Sequence, residues 1–233
     1  MESAPHMPEK TAPFRLALPQ YPASEDVQET LETALSLIRE AAAGGANVIC
    51  LQELAHCRYF CRTQSPADRH LALDPQGPEL AVFAEAAKEL EVVLVVPFFE
   101  KAGPGVLFNS AAVYDADGAR LGIYRKHHIP DDPGFHEKYV FSPGDTGYRV
   151  FDSRYGRIGV LICWDQWFPE AARITAMMGA DLIVYPTAIG ILDEEDEDDR
   201  RRFHEAWKTV QRGHAIANSV YVAAVNRVGR EGE

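Results

Sequence analysis

The feature that most restricts this chain is a repeated pairing of short, wholly apolar runs with amphipathic stretches of helical period. The runs at 47–51, 92–99, 157–162, 181–185 and 220–226 are of strand length and almost free of charge. A strand covered on both faces needs that composition. Between the runs, Leu31, Leu35, Ile38 and Ala42 recur at helical spacing. So do Leu80, Phe83, Ala87 and Leu90, and later Phe203, Trp207, Val210, His214 and Ala217. His214, on an apolar face, reads as a hydrogen-bonded core histidine. Ser24 is the expected cap of the first helix, with Glu25 and Asp26 in its first turn, and Gly44 and Gly45 close it. Pro78 opens the second helix. The turns at 115–118 and 153–156 predict hairpins, so antiparallel pairs join the parallel units. Strands and helices in alternation give an α/β fold. No internal repeat or linker divides the chain. A single domain is expected over 13–233 of the 233 residues, after a disordered leader at 1–12.

Charge narrows the partners. The net charge of −12 argues against nucleic acid and against an anionic membrane surface, both of which call for basic patches. No run approaches the length of a membrane span, and the first residues lack the apolar segment of a secretory signal. Cys50, Cys57, Cys61 and Cys163 are irregularly spaced and make no disulfide framework, so a cytoplasmic location is expected. Cys57 and Cys61 lack the second pair that a zinc site requires. His127 and His128, adjacent at an extended strand end, point to opposite sides, so with His136 they make a poor ligand set. No metal is expected.

Three reactive groups stand just after predicted strands. Glu53 follows the run at 47–51, Lys126 follows 120–124, and Cys163 ends 157–162 before a turn and a helix entered at Pro169. Open α/β sheets bind their ligands outside these carboxyl ends. Alone, each group has a plain reading: a surface acid, a solvated basic run, a small buried thiol. Together they are chemically complete. A carboxylate can take the thiol proton, a thiolate can attack a carbonyl or nitrile carbon, and an ammonium can hold the oxyanion with help from the Trp164 N–H.

The surrounding residues carry a resemblance. They are Leu51-Gln52-Glu53-Leu54, Tyr124-Arg125-Lys126-His127-His128-Ile129-Pro130, Glu137-Lys138-Tyr139, Phe141-Ser142-Pro143-Gly144-Asp145-Thr146-Gly147, Ile162-Cys163-Trp164-Asp165-Gln166-Trp167-Phe168-Pro169-Glu170-Ala171-Ala172-Arg173 and Gly213-His214-Ala215-Ile216-Ala217-Asn218. In that order they resemble the carbon–nitrogen hydrolase (nitrilase) superfamily, and within it the branch that acts on N-carbamoylputrescine. The resemblance runs from about Phe14 to Gly229.

It implies a four-layer α-β-β-α sandwich, no cofactor, and a small amide or carbamoyl amine as substrate. Glu53 is implied as base, Lys126 as oxyanion stabiliser and Cys163 as nucleophile, with Glu137 keeping Lys126 protonated. Relatives that take N-carbamoyl amino acids resemble a pattern with arginines just after the cysteine. Here Asp165, Gln166 and Trp167 stand there, and Asp132 lies in the loop after Lys126. An acidic and aromatic wall suits a cationic tail and therefore a carbamoylated diamine. Other readings are a general ω-amidase or nitrilase with the same three residues, or a non-catalytic scaffold. Similar members continue for several dozen residues beyond Asn226-Arg227-Val228-Gly229. C-terminal strands and a tail are thus expected to be missing, leaving a bare sheet edge and weakening the homo-oligomer that the family tends to form.

Overall fold

A computed structural model describes residues 13–231; the expected leader at 1–12 lies outside the described residues. The elements follow as β1 (Leu16–Ala17), α1 (Val27–Ala43), β2 (Val48–Cys50), α2 (Pro78–Leu90), β3 (Val93–Gly103), β4 (Val106–Tyr114), β5 (Arg120–Arg125), β6 (Val150–Ser153), β7 (Gly156–Val160), α3 (Pro169–Met177), β8 (Leu182–Thr187), α4 (Glu197–Asn218) and β9 (Tyr221–Asn226). One sheet has the order β1-β2-β3-β4-β5, parallel from β1 to β3 and antiparallel from β3 to β5. The other has the order β6-β7-β8-β9, antiparallel only between β6 and β7.

Period-two side chains build the layers. Val48, Cys50, Val93, Val95, Ala111 and Val113 join Ile158, Val160, Leu182 and Val184 in the core between the sheets. Their neighbours Ile49, Leu51, Leu94, Val96, Ala112 and Tyr114 pack instead with Leu31, Ala34 and Ile38 of α1 and with Leu80, Phe83 and Ala87 of α2. On the far side, α3 lies so close to β7 that a Cβ at Gly159 would collide with Thr175. The layers are therefore α-β-β-α, as expected. Strands covered on both faces explain why the runs were apolar throughout.

Two local expectations fail. Asp26, not Ser24, caps α1: its Oδ1 accepts the Gln28 N–H at 2.8 Å, while Ser24 Oγ donates to Glu29 at 2.5 Å. The chain is still extended at Asp26, so Ser24 lies too early to reach the first free amides. The second failure is α4. Its acidic start supplies the Asp196 cap and favourable charges in the first turn, yet residues 197–206 are all exposed. Of the predicted inward stripe only His214 is buried, and its Nε2 lies 2.8 Å from Gln166 O, the core role expected of it. Tyr221 on the edge strand β9 and Ile216 on α4 are each 79% exposed.

The long connections carry a core of their own. Leu54, Tyr59, Phe60, Phe99, Ile129 and Phe141 pack together, with ring centroids 5.0 Å apart for Phe60–Phe99 and 5.2 Å for Phe99–Phe141. This cluster orders the segments that follow β2 and β5, which bear Glu53, Lys126 and Glu137.

Candidate active site

The chain ends of β2 and β5 bring Glu53 and Lys126 into contact. Lys126 Nζ lies 2.8 Å from Glu53 Oε1 and 2.7 Å from Glu137 Oε2, with all three side chains at most 1% exposed. Glu137 comes from a 3-10 turn, Glu137–Tyr139, inside the loop after Lys126. Gly144 presses that loop onto the Lys126 main chain, where a Cβ would collide with the Arg125 carbonyl. Two neighbours complete the set. Asn109 Nδ2 donates to Glu53 Oε1 at 2.7 Å, and Tyr59 OH donates to Glu137 Oε1 at 2.9 Å.

Burial works against the Lys126 ammonium, but the Glu137 and Glu53 carboxylates more than offset this and hold it well above the ordinary lysine value. Burial lifts Glu137 to about 6 against the pull of Lys126. Burial, and then the Glu137 charge, push the Tyr59 phenol well up, so it remains a donor. Glu53 Oε2 is different: it is buried and has no hydrogen-bond partner among the described residues. One oxygen of Glu53 is thus fixed by Lys126 and Asn109, and the other is free to accept a proton.

Cys163 faces this set. It opens the 3-10 turn Cys163–Trp167 with φ of 45°, a left-handed conformation uncommon for a residue with a side chain. Strain of this kind costs about 1–3 kcal/mol and gathers at functional sites. Burial raises the thiol well above its usual value and Glu53 adds to that rise, while Lys126 and the Ala188 backbone N–H oppose it. The thiol is therefore neutral at rest, beside a carboxylate able to remove its proton. The Trp164 N–H lies at the start of the turn, where no intrahelical acceptor precedes it. Beside the site opens a cleft of about 910 Å³, whose walls include Tyr59, Phe135, Ala188 and Ile189.

The carbon–nitrogen hydrolase family model matches residues 15–233. The chain belongs to the carbon–nitrogen hydrolase family. It is 48% identical to N-carbamoylputrescine amidase of Solanum lycopersicum over 97% of this chain and 74% of that protein. It is 41% identical to a citrullinase of Francisella tularensis over 94% of this chain and 76% of that protein. A crystal structure of a carbon–nitrogen hydrolase from Helicobacter pylori superposes with a TM-score of 0.89 at 41% identity, covering 94% of this chain and 75% of that one. The protein is thus a hydrolase of carbon–nitrogen bonds.

For a carbon–nitrogen hydrolase of this branch, the acidic and aromatic wall expected after the cysteine needs correction. Asp165 is buried. Its Oδ2 accepts Tyr124 OH at 2.7 Å and Ile162 N–H at 2.9 Å, and its Oδ1 lies 3.0 Å from His128 N and 2.7 Å from His128 Nδ1. A carboxylate so engaged ties the cysteine turn to the segment after Lys126 and leaves nothing for a substrate. Gln166 is also buried; its Oε1 accepts Trp207 Nε1 and Gln211 Nε2, each at 2.5 Å, which anchors α4. Trp167 packs against Trp164 and Phe203, with centroids 6.4 and 5.5 Å apart. Asp132 is exposed in a tight turn with Phe135, and Pro133, Gly134 and Phe135 line the cleft in its place. Sequence reasoning ran from adjacency in the chain, whereas a 3-10 turn sends successive side chains in different directions.

Asp165→Ala removes the acceptor of four hydrogen bonds and orphans buried donors. It is expected to cost about 3 kcal/mol, read as a lower urea midpoint with an unchanged slope. An unaltered midpoint would refute the anchoring role. Tyr59, Asn109 and Ala188 were not foreseen. Asn109 left a trace, a polar pair with Ser110 in a mostly apolar strand; Tyr59 and Ala188 left none, because their roles depend on long-range packing.

Proposed function

We propose that the protein hydrolyses N-carbamoylputrescine, or a similar carbamoylated diamine, to the free amine, carbon dioxide and ammonia. The observation that carries this is the buried Lys126 held between Glu53 and Glu137 beside a strained Cys163. The relatives of that name add the substrate class. Glu53 takes the thiol proton as Cys163 Sγ attacks the carbamoyl carbon. Lys126 and the Trp164 N–H hold the oxyanion. Collapse expels ammonia, with the proton returned by Glu53, and leaves the substituted carbamoyl group on sulfur. Glu53 then activates water, which releases a carbamic acid that breaks down to carbon dioxide and amine.

Glu137 must be ionised to hold Lys126. The value of about 6 for Glu137 therefore predicts that kcat/KM falls as pH drops below about 6. A rate still flat at pH 5 would contradict the assignment.

A ureido amino acid such as citrulline is the second reading. It is favoured by Arg62 and Arg200 on the cleft wall, suited to a carboxylate, beside the acids Asp193 and Glu194. Ammonia release should favour carbamoylputrescine over citrulline, short amides and nitriles by about 100-fold in kcat/KM. A preference for citrulline would select the second reading, and activity on nitriles alone would sink both. The unpaired cysteines support a reducing, cytoplasmic setting. Exposed Ile174 and Met177 on α3, with Met178 just after it, support a homo-oligomer, which light scattering reads directly. Among the described residues no helix is long and apolar enough to cross a membrane.

A further inference from the structure

The turn that carries Glu53 is held only in part by its own sheet, where the Ala55 N–H donates to Pro97 O of β3 at 3.0 Å. Leu54 has φ of 50°, a second left-handed residue with a side chain. Among the described residues, neither the Glu53 nor the Cys57 carbonyl accepts a backbone hydrogen bond. Buried carbonyls in that condition need a donor from elsewhere. The donor is Arg227, which follows β9 in the opposite sheet. Its Nη1 donates to Glu53 O at 2.7 Å and Leu54 O at 3.2 Å, and its Nη2 donates to Cys57 O at 2.9 Å. The side chain is 6% exposed.

Two neighbours of Arg227 extend the same hold. Glu231 pairs with its guanidinium, Nε to Oε1 at 3.1 Å, and Glu231 Oε2 accepts the Tyr59 N–H at 2.7 Å. Tyr59 is the residue whose hydroxyl holds Glu137. On the other side, Asn226 fixes Ile189 through both amide atoms, at 2.8 and 2.9 Å. The preceding residue, Ala188, turns its N–H toward the Cys163 sulfur. The end of β9 therefore touches the supports of Glu53, Glu137 and Cys163 without touching the reacting atoms.

We propose, resting on the reading of Glu53 as the base, that Arg227 is a positioning residue. Its planar guanidinium ties the Glu53 turn to the second sheet and so sets the open Glu53 oxygen against the Cys163 thiol. A planar fork of five donors can serve three carbonyls and a carboxylate at once; an ammonium cannot. A displacement of the base by about 1 Å is enough to cost about 100-fold in rate.

The test uses the full chain with Arg227→Gln, Arg227→Lys and Glu231→Gln. Steady-state ammonia release from N-carbamoylputrescine is measured with the rate of Cys163 alkylation by iodoacetamide, which needs base assistance but no substrate. The expected result for Arg227→Gln is a kcat about 100-fold lower, KM within about threefold, and slowed alkylation in protein that still melts above the assay temperature. Arg227→Lys recovers part of kcat. A folded Arg227→Gln with kcat and alkylation within about threefold of the parent overturns the role. So does a loss of activity that only tracks the unfolded fraction. If Arg227→Gln does not fold, Glu231→Gln decides: kcat lower by about tenfold at constant KM supports the role, and unchanged kcat overturns it. Should the parent protein release no ammonia from any carbamoyl, amide or nitrile substrate, the functional reading fails. The alkylation rates then still decide the positioning role.

Discussion

Lys126→Met leaves a protein that is both inactive and unstable at neutral pH, and that regains stability on acidification. Among the described residues the lysine is the sole cation paired with two buried carboxylates, at 2.8 and 2.7 Å. Removing one member of a buried ion pair costs about 3–5 kcal/mol, because the remaining charge is left without compensation. For a chain of this size that is a fall in Tm of about 10 °C. On the proposed role of Lys126 at the oxyanion, its loss lowers kcat by about 10²–10³-fold at any pH. The pH dependence separates this account from a mere packing defect. In the parent, Lys126 has a folded-state pKa raised above its ordinary value, so its contribution is present below that value and lost only above the raised one. In the variant, Glu137 loses its cation beside the Glu53 carboxylate, and its folded-state value rises further. A raised carboxyl value gives stability below its unfolded value, lost as pH rises through the folded one. The gap in Tm between parent and variant therefore narrows from pH 8 to pH 5. A gap that stays constant over this range would contradict the ion-pair account.

Cys163→Ala is expected to lower ammonia release by about 10⁴-fold or more while the fold persists. The side chain is small, and the turn is held by Asp165 through Ile162, Tyr124 and His128, not by the sulfur. Truncation should cost about 1 kcal/mol, a shift in Tm of about 2–4 °C. Cys50, Cys57 and Cys61 are buried, and burial raises the thiols of all three, so none can take over as a nucleophile.

Much of this was legible in the sequence, for identifiable reasons. Apolar runs at 47–51, 92–99 and 181–185 could only be strands covered on both sides, and the layers follow from their alternation. Glu53, Lys126 and Cys163 stood out because each reactive group stands at or just past the end of a predicted strand. Glu137 came from resemblance alone. What the chain order hid was anything that depends on direction or on distance along the chain. Asp165 and Gln166 sit beside Cys163 in sequence but point into the scaffold. Arg227 lies 174 residues from Glu53 and still donates to its carbonyl. The expected inner stripe of α4 was equally misleading, since a helical period shows which face is apolar and not whether anything covers it.

The central claim is that a thiol at Cys163, deprotonated by Glu53, attacks a carbamoyl carbon. Its most direct test is ammonia release from N-carbamoylputrescine by the parent protein and by Cys163→Ala, side by side at equal folded concentration. The account predicts equimolar ammonia and putrescine from the parent and none above background from the variant. Ammonia release by folded Cys163→Ala at a rate near the parent's would contradict it.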